Sequence, residues 1–356
     1  MKALLFEICL AGALLTLAAC GVKNDSGDVR NLANGPLPAG LKLADGWQYE
    51  GKVIDSSLGH NLADASAVVL PDKRVRIYSN EDTGTPGLRR VISFVSSDGL
   101  HFERETGVRL ENQYAFTPYV MLLPDGRFRM YMTDQTKYVG ERGAIGIKSA
   151  ISNDGLSFVM EPGDRLRYLA SGDEAGGIRG SNVVRLGDGT YRMFYAGLSP
   201  MGNEVVSKSL SASSPDGLNF TRDAAERINR QSITPLANAG FGNPKPYLDS
   251  KGTLHLFMPE AQSDSLDHKN EIFGIFDETS TDGLNFSHSR TPVVQSFFLK
   301  KYYRGNPVTD PFVGVEDQMV VPTPGGVRMY FFIYGATGGA PWNETGIFSV
   351  INPNLR

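Results

Sequence analysis

Ser96-Ser97-Asp98-Gly99-Leu100-His101-Phe102 decides the reading of this chain, because the phrase returns three more times. The other copies are Ser152-Asn153-Asp154-Gly155-Leu156-Ser157-Phe158, Ser214-Pro215-Asp216-Gly217-Leu218-Asn219-Phe220 and Ser280-Thr281-Asp282-Gly283-Leu284-Asn285-Phe286. Asp-Gly supplies a local side-chain hydrogen bond and the positive φ of a tight hairpin, and Leu and Phe two residues apart fall on one face of the outgoing strand. The aspartates lie 56, 62 and 66 residues apart. That is too far for a solenoid of single hairpins and suits one four-stranded unit per repeat.

A second repeat interleaves with the first, at 64–78, 117–131, 180–194, 243–257 and 316–330. Each run is a strand, a turn rich in Gly, Asp or Pro, and a second strand with period-two alternation such as Arg127-Phe128-Arg129-Met130-Tyr131. Each unit is thus one such hairpin followed by an Asp-Gly-Leu hairpin. Five of them predict an all-β, five-bladed β-propeller, which protects its strand edges by radial repetition. Upstream, Leu43-Ala44-Asp45-Gly46-Trp47-Gln48-Tyr49 repeats the phrase with Trp for Leu and Tyr for Phe. Residues 47–53 are therefore expected to form the outermost strand of the last blade, whose inner three strands come from about 315–350. Such a strand closes the ring without a disulfide and covers an otherwise open edge.

The 356 residues are 41% hydrophobic, ample for a large β core, and no helix is required. The formal net charge of −4 carries no basic stripe, so nucleic-acid binding has no electrostatic footprint. The two cysteines, Cys9 and Cys20, sit in an apolar N-terminal segment that ends Leu17-Ala18-Ala19-Cys20-Gly21. This ending resembles the lipobox of bacterial lipoproteins, where the cysteine is lipidated and becomes the mature N-terminus. The resemblance implies a signal peptide over 1–19, a lipidated Cys20 with a flexible tether over 20–40, and a propeller over 41–356. The apolar run is too short to span a bilayer, so the chain is expected to be anchored to the bacterial outer membrane, with Gly21 after the cysteine suiting that sorting. The propeller itself is expected to be a monomer.

Asp64-Ala65-Ser66-Ala67-Val68-Val69, with the recurring Asp-Gly-x-Tyr/Phe-x-Met-Tyr strands, resembles the five-bladed propellers of the glycoside hydrolase family 43 and family 32 group. The resemblance covers roughly 45–350. It implies that Asp64 is the catalytic base of an inverting mechanism, which also needs an Asp that tunes the acid and a Glu that protonates the leaving group. In the second and third units Thr117-Pro118-Tyr119 and Arg179-Gly180-Ser181-Asn182 offer no such acids, and Gly242-Asn243-Pro244-Lys245 resembles the family's Glu-Gly-Pro phrase without its Glu.

Propeller chemistry is done at one end of the funnel, by inner-strand starts and the loops leaving second strands. That end collects Asp64, Glu316, Asp317 and Glu260 as catalytic candidates. One carboxyl serves as base, and another, raised in pKa by its neighbour's charge, as acid. Asp134, Arg179, Asn243, Lys245 and Trp342 are the candidate substrate-binding groups, with His60 beside them. Arg179 and Lys245 suit an acidic sugar or a carboxylate, and Trp342 a sugar ring. The Asp-Gly-Leu aspartates fall at the opposite end and are structural. The remaining histidines show no ligand spacing, so no metal site and no cofactor are expected, though the funnel leaves room for a structural cation. Two classes of function remain: a glycan-active enzyme acting on oligosaccharide or polysaccharide, and a non-catalytic propeller that binds glycan or protein.

Overall fold

The computed structural model describes residues 36–38, 40–59, 62–85, 88–113, 115–139, 143–201, 204–228, 243–262, 272–289, 291–296, 312–336 and 343–356. The secondary structure there is almost wholly β, with only two single-turn 3₁₀ segments, Ser56–Leu58 and Gly172–Glu174. The fold is a β-propeller.

Each unit is an antiparallel meander. The first runs Ala63–Val69, Val75–Asp82 and Arg89–Ser96, edged by the short strands Glu103–Arg104 and Leu110–Gln113. The second is built on Ala115–Leu122, Phe128–Val139 and Gly143–Ser152, the third on Ile178–Arg185, Tyr191–Met201 and Glu204–Ser214. A bridge from Ala144 to Ile178 joins these two into one continuous sheet. The fourth uses Lys245–Leu248, Leu254–Gln262, Ile272–Ser280 and Val294–Ser296, and the fifth Phe312–Thr323, Gly326–Ala336 and Asn343–Asn352. Gln48–Asp55, from the start of the chain, pairs antiparallel with Asn343–Asn352 and is the outermost strand of the fifth unit. The five inner strands contact one another in cyclic order, first to second and onward to fifth, and fifth back to first.

The core lies between units rather than within them. Ile77, Phe94 and Phe102 of the first unit pack with Met319, Tyr330 and Phe332 of the fifth, and Trp47, Phe331 and Phe348 of the fifth with Phe257 and Ile275 of the fourth. Flat sheets covered on both faces can hold apolar side chains in both phases of the pleat. The polar phase of the second strands is buried too: Arg76, Arg129, His255 and Arg328 all lie inside. Alternation there does not mean a wet face. Those arginines are matched within their own sheets, Arg76 with Glu105, Arg129 with Glu161 and Arg328 with Glu50, and Ser93, Ser149 and Ser349 donate to the same carboxylates.

The Asp-Gly-Leu phrases are not two-residue hairpin turns. Each is a longer loop from the third strand to a short outer strand, built around its aspartate: Asp216 Oδ1 accepts the Leu218 and Asn219 N–H groups and the Ser214 hydroxyl. The backbone N–H of Asn219, ahead of that of Leu218, holds this carboxyl far below the usual range. The glycines have φ of 75°, 70°, 70° and 69° and are gripped by the neighbouring unit. Tyr78 OH donates to Gly155 O at 2.9 Å, Tyr131 OH to Gly217 O at 2.8 Å and Tyr330 OH to Gly99 O at 2.8 Å.

The same packing corrects the reading of the N-terminal phrase. Phe102, Phe158, Phe220 and Phe286 each stand edge-to-face on a second-strand aromatic of the preceding unit, and Trp47 does so on Phe257 with centroids 6.1 Å apart. Three residues beyond these rings come Glu105, Glu161, Asp223 and, after Trp47, Glu50. Trp47 therefore replaces Phe, not Leu, and Asp45-Gly46 is not the counterpart of Asp98-Gly99.

Candidate functional site

Four of the five inner strands carry the same irregularity near their start. The pairing register slips between Ala63 and Ser66, Phe116 and Tyr119, Arg179 and Asn182, and Glu316 and Met319. Within each bulge one residue takes a left-handed conformation: Asp64 at φ 51°, Thr117 at 54°, Gly180 at 70° and Asp317 at 52°. Asp enters this region at modest cost, whereas a β-branched Thr does not, and three non-glycine residues held there amount to stored strain that the surrounding ring maintains. Bulges of this kind re-aim side chains next to active sites.

The bulges are stitched around the axis. Asp317 Oδ2 accepts the Asp64 N–H at 2.9 Å, and the Ser66 hydroxyl accepts the Val120 N–H at 3.0 Å. The Ser181 hydroxyl donates to Thr117 O, Asn182 Nδ2 to Asn243 Oδ1, and Gln318 Nε2 to Asn243 O at 2.9 Å and Phe257 O at 2.7 Å. Each inner strand is thus bonded to both neighbours at one level. Below it the axis narrows to a space of about 10 Å³ among Ser66, Tyr119, Lys245 and Met319, no more than one water needs.

Register shows that Asp317, not Glu316, is the fifth-unit counterpart of Asp64. Ser66, Tyr119, Asn182 and Lys245 pair with Tyr78, Tyr131, Phe194 and Phe257, twelve residues on in each case, but Met319 pairs with Tyr330, eleven residues on. The fifth turn is one residue shorter, so counting back from the aromatic misplaces the strand start by one. The residues at the Asp64 level are Asp64, Thr117, Gly180, Asn243 and Asp317. Glu316 stands one step toward the mouth, level with Arg179.

Three acids are therefore placed at the adjoining starts of the fifth and first inner strands. Asp64 keeps about a quarter of its side chain exposed, and its Oδ2 lies 3.8 Å from Arg89 Nη1, while Arg89 Nε pairs with Asp82 Oδ1 at 3.0 Å. Asp317 is almost covered, at 8% exposure. Burial, followed by the charges of Asp317 and Asp64, pushes Glu316 up to about 8, with Arg179 pulling the other way. At neutral pH Glu316 is a protonated acid beside two other carboxyls.

The remaining candidates are distributed as follows. Lys245 is 2% exposed, its Nζ donating to Asn182 Oδ1 at 2.9 Å and lying 5.5 Å from the centroid of the Tyr119 ring. It lies in the floor rather than at the mouth, whereas Asn243 stands at the Asp64 level and is half-buried. Arg179 is exposed. Asp134 is not among the groups brought together: Lys148 Nζ holds its Oδ2 at 2.7 Å, and Thr136 donates to Oδ1 from both hydroxyl and backbone. Glu260 occupies the same strand position as Asp134 and pairs with Gly274. His60, Trp342 and Cys20 lie outside the described residues. Among the described residues no group of three or more His, Cys, Asp or Glu is arranged to hold a metal ion. Sequence reasoning missed Arg89, Asn182 and Gln318, and no sequence signal separates them from ordinary strand polar residues.

No protein-family model and no curated protein matches the sequence. Solved structures do resemble the fold. A thermostable family-43 glycoside hydrolase superposes with a TM-score of 0.56 at 15% identity, covering 81% of this chain and 90% of that one. The endo-arabinase of Bacteroides thetaiotaomicron gives 0.54 at 12% identity, over 85% and 97%. A third, described as a glycoside hydrolase, gives 0.56 at 12%, over 85% and 91%. The chain has the β-propeller fold of these hydrolases.

Proposed function

We propose that this chain is a lipid-anchored cell-envelope protein, a five-bladed propeller closed by its N-terminal outer strand, that binds oligosaccharide or polysaccharide and hydrolyses it. The observation that carries the reading is the placement of Asp64, Glu316 and Asp317 at two adjoining strand starts, where Asp317 accepts the Asp64 N–H and burial with the neighbouring charges raises Glu316 to about 8. Inverting hydrolysis needs an acid to protonate the leaving oxygen and a carboxylate to take a proton from water. Glu316, with its pKa at about 8, supplies the first. Asp64, with about a quarter of its side chain exposed and set on a strand bulge, supplies the second. Asp317 fixes the Asp64 turn through its N–H and adds the charge that keeps Glu316 protonated. Resemblance to glycoside hydrolase propellers supports glycan as the ligand class.

A second reading, glycan binding without cleavage, is favoured by one specific feature. The second and third units carry Thr117 and Gly180 at the Asp64 level, and a Cβ on Gly180 would meet Asn243 Oδ1 at 2.5 Å, so no carboxylate fits there. A panel of envelope and plant oligosaccharides, assayed for both new reducing ends and binding, separates the two. Cleavage supports the hydrolase, binding alone supports the second reading, and neither moves the weight to a protein partner.

The anchor is tested separately. A Cys20→Ala variant is expected to leave the membrane fraction, because the lipid chains on that sulfur supply the whole anchoring free energy. A variant still in that fraction would contradict the anchor.

A further inference from the structure

Lys245 stands with the ligand-binding groups in the sequence reading, yet its side chain is inside the ring. It leaves the fourth inner strand and ends on Asn182 Oδ1 of the third, above the Tyr119 ring of the second. Asn182 is in turn tied to Asn243. This ties the buried ammonium to the third inner strand. Among the described residues, the carboxylates whose charge acts on it are Asp317 from the fifth unit and Asp64 from the first, and the Tyr119 ring lies beneath. Glu316, Arg179 and Arg89 belong to the carboxyl cluster beyond. A buried, immobilised ammonium with one neutral hydrogen-bond acceptor is costly unless carboxylates balance it. The cost is visible: burial brings Lys245 down to about 8, while the charges of Asp317 and Asp64 act to keep it protonated.

We propose that Lys245 is a positioning residue, an internal cation fixed under the funnel that lets Asp64 and Asp317 be ionised together and so leaves the cluster's one proton on Glu316. This rests on the acid–base reading of those carboxyls. Three carboxyls on two adjoining strand starts resist ionising together, and without the buried cation the like charges would act to drive a further proton onto Asp64 or Asp317. The base would then be lost, not the acid.

The test is a ¹³C-carboxyl NMR titration of the full chain, as wild type and as Lys245→Met, which keeps an unbranched apolar chain one atom shorter and removes the charge. The macroscopic steps of the Asp64–Glu316–Asp317 cluster are expected to move up by about 1 to 3 pH units in the variant, with its thermal melt still cooperative. Steps that do not move would overturn the proposal. If Lys245→Met does not fold, the reciprocal measurement replaces it, since coupling between two sites is equal in both directions. In Asp64→Asn the ¹⁵Nζ titration of Lys245 is expected to fall below its wild-type value, and an unchanged value would overturn the proposal. Neither readout needs turnover. A shift in a protein that cleaves no glycan would support Lys245's role and count against hydrolysis alone.

Discussion

Glu316 is the residue whose environment makes the sharpest demand on pH. Burial and two neighbouring carboxyls raise it from an ordinary glutamate value to about 8, so the folded chain holds a proton there that the unfolded chain releases near 4.5. Its contribution to stability is therefore complete below about pH 4.5 and is lost as pH rises through about 8. Glu316→Gln mimics the protonated form without titrating. The variant's melting temperature is expected to decline less than the wild type's between pH 6 and 9, and parallel curves would contradict the raised pKa. In catalysis the sign is the same: an acid that must be protonated gives activity that falls above about pH 8. At this scale the sequence was only partly legible. Asp64 stood out in its strand phrase, and Glu316 and Asp317 as an adjacent pair, but which of the two matched Asp64 depended on a turn one residue shorter than the others. The burial of Lys245 was hidden because period-two alternation marks a face, and here both faces are covered by neighbouring units.

The elements hold together through a latch repeated between units. A second-strand tyrosine donates to the glycine carbonyl of the next Asp-Gly loop, and the Arg two residues before it donates to the aspartate carbonyl, as Arg129 does to Asp216 O and Arg328 to Asp98 O. Tyr131→Phe removes one buried hydrogen bond and leaves Gly217 O unpaired, an expected loss of about 1 kcal/mol in denaturant unfolding. Gly217→Ala is expected to cost more, because φ is +70° and the new Cβ would meet Tyr131 Oη at 2.9 Å. A smaller loss for Gly217→Ala than for Tyr131→Phe would refute the account of the latch. The repeats themselves were plain in the sequence, since Asp-Gly-Leu-x-Phe is local turn chemistry. Their partners were not, because a loop reveals its own hydrogen bonds but not the strand of another unit that grips it. The same blindness put Tyr49 where Trp47 belongs: only packing against Phe257 fixes that register.

For the whole molecule, the second described strand is tied to the last. Gln48–Asp55 lies along Asn343–Asn352, Trp47 and Ile54 are buried, and Glu50 takes the Arg328 and Ser349 donors. Deleting residues 1–35 is expected to leave the melting temperature unchanged. Deleting 1–55 exposes a strand edge and removes buried side chains worth about 2 kcal/mol each, a large share of the 5–15 kcal/mol typical of a domain. Equal melting temperatures for the two truncations would contradict closure by this strand. The propeller was readable from repeat spacing, whereas the proposed site was not, because it draws on strand starts some 250 residues apart that the Asp317 carboxyl on the Asp64 N–H brings together. The most direct test of that centre is the turnover of Asp64→Asn against wild type on whichever oligosaccharide of the panel the wild type cleaves. Loss of the base with shape preserved is expected to lower kcat by about 10² or more while glycan binding persists. Cleavage undiminished in the Asn variant would take Asp64 out of the mechanism and contradict the account.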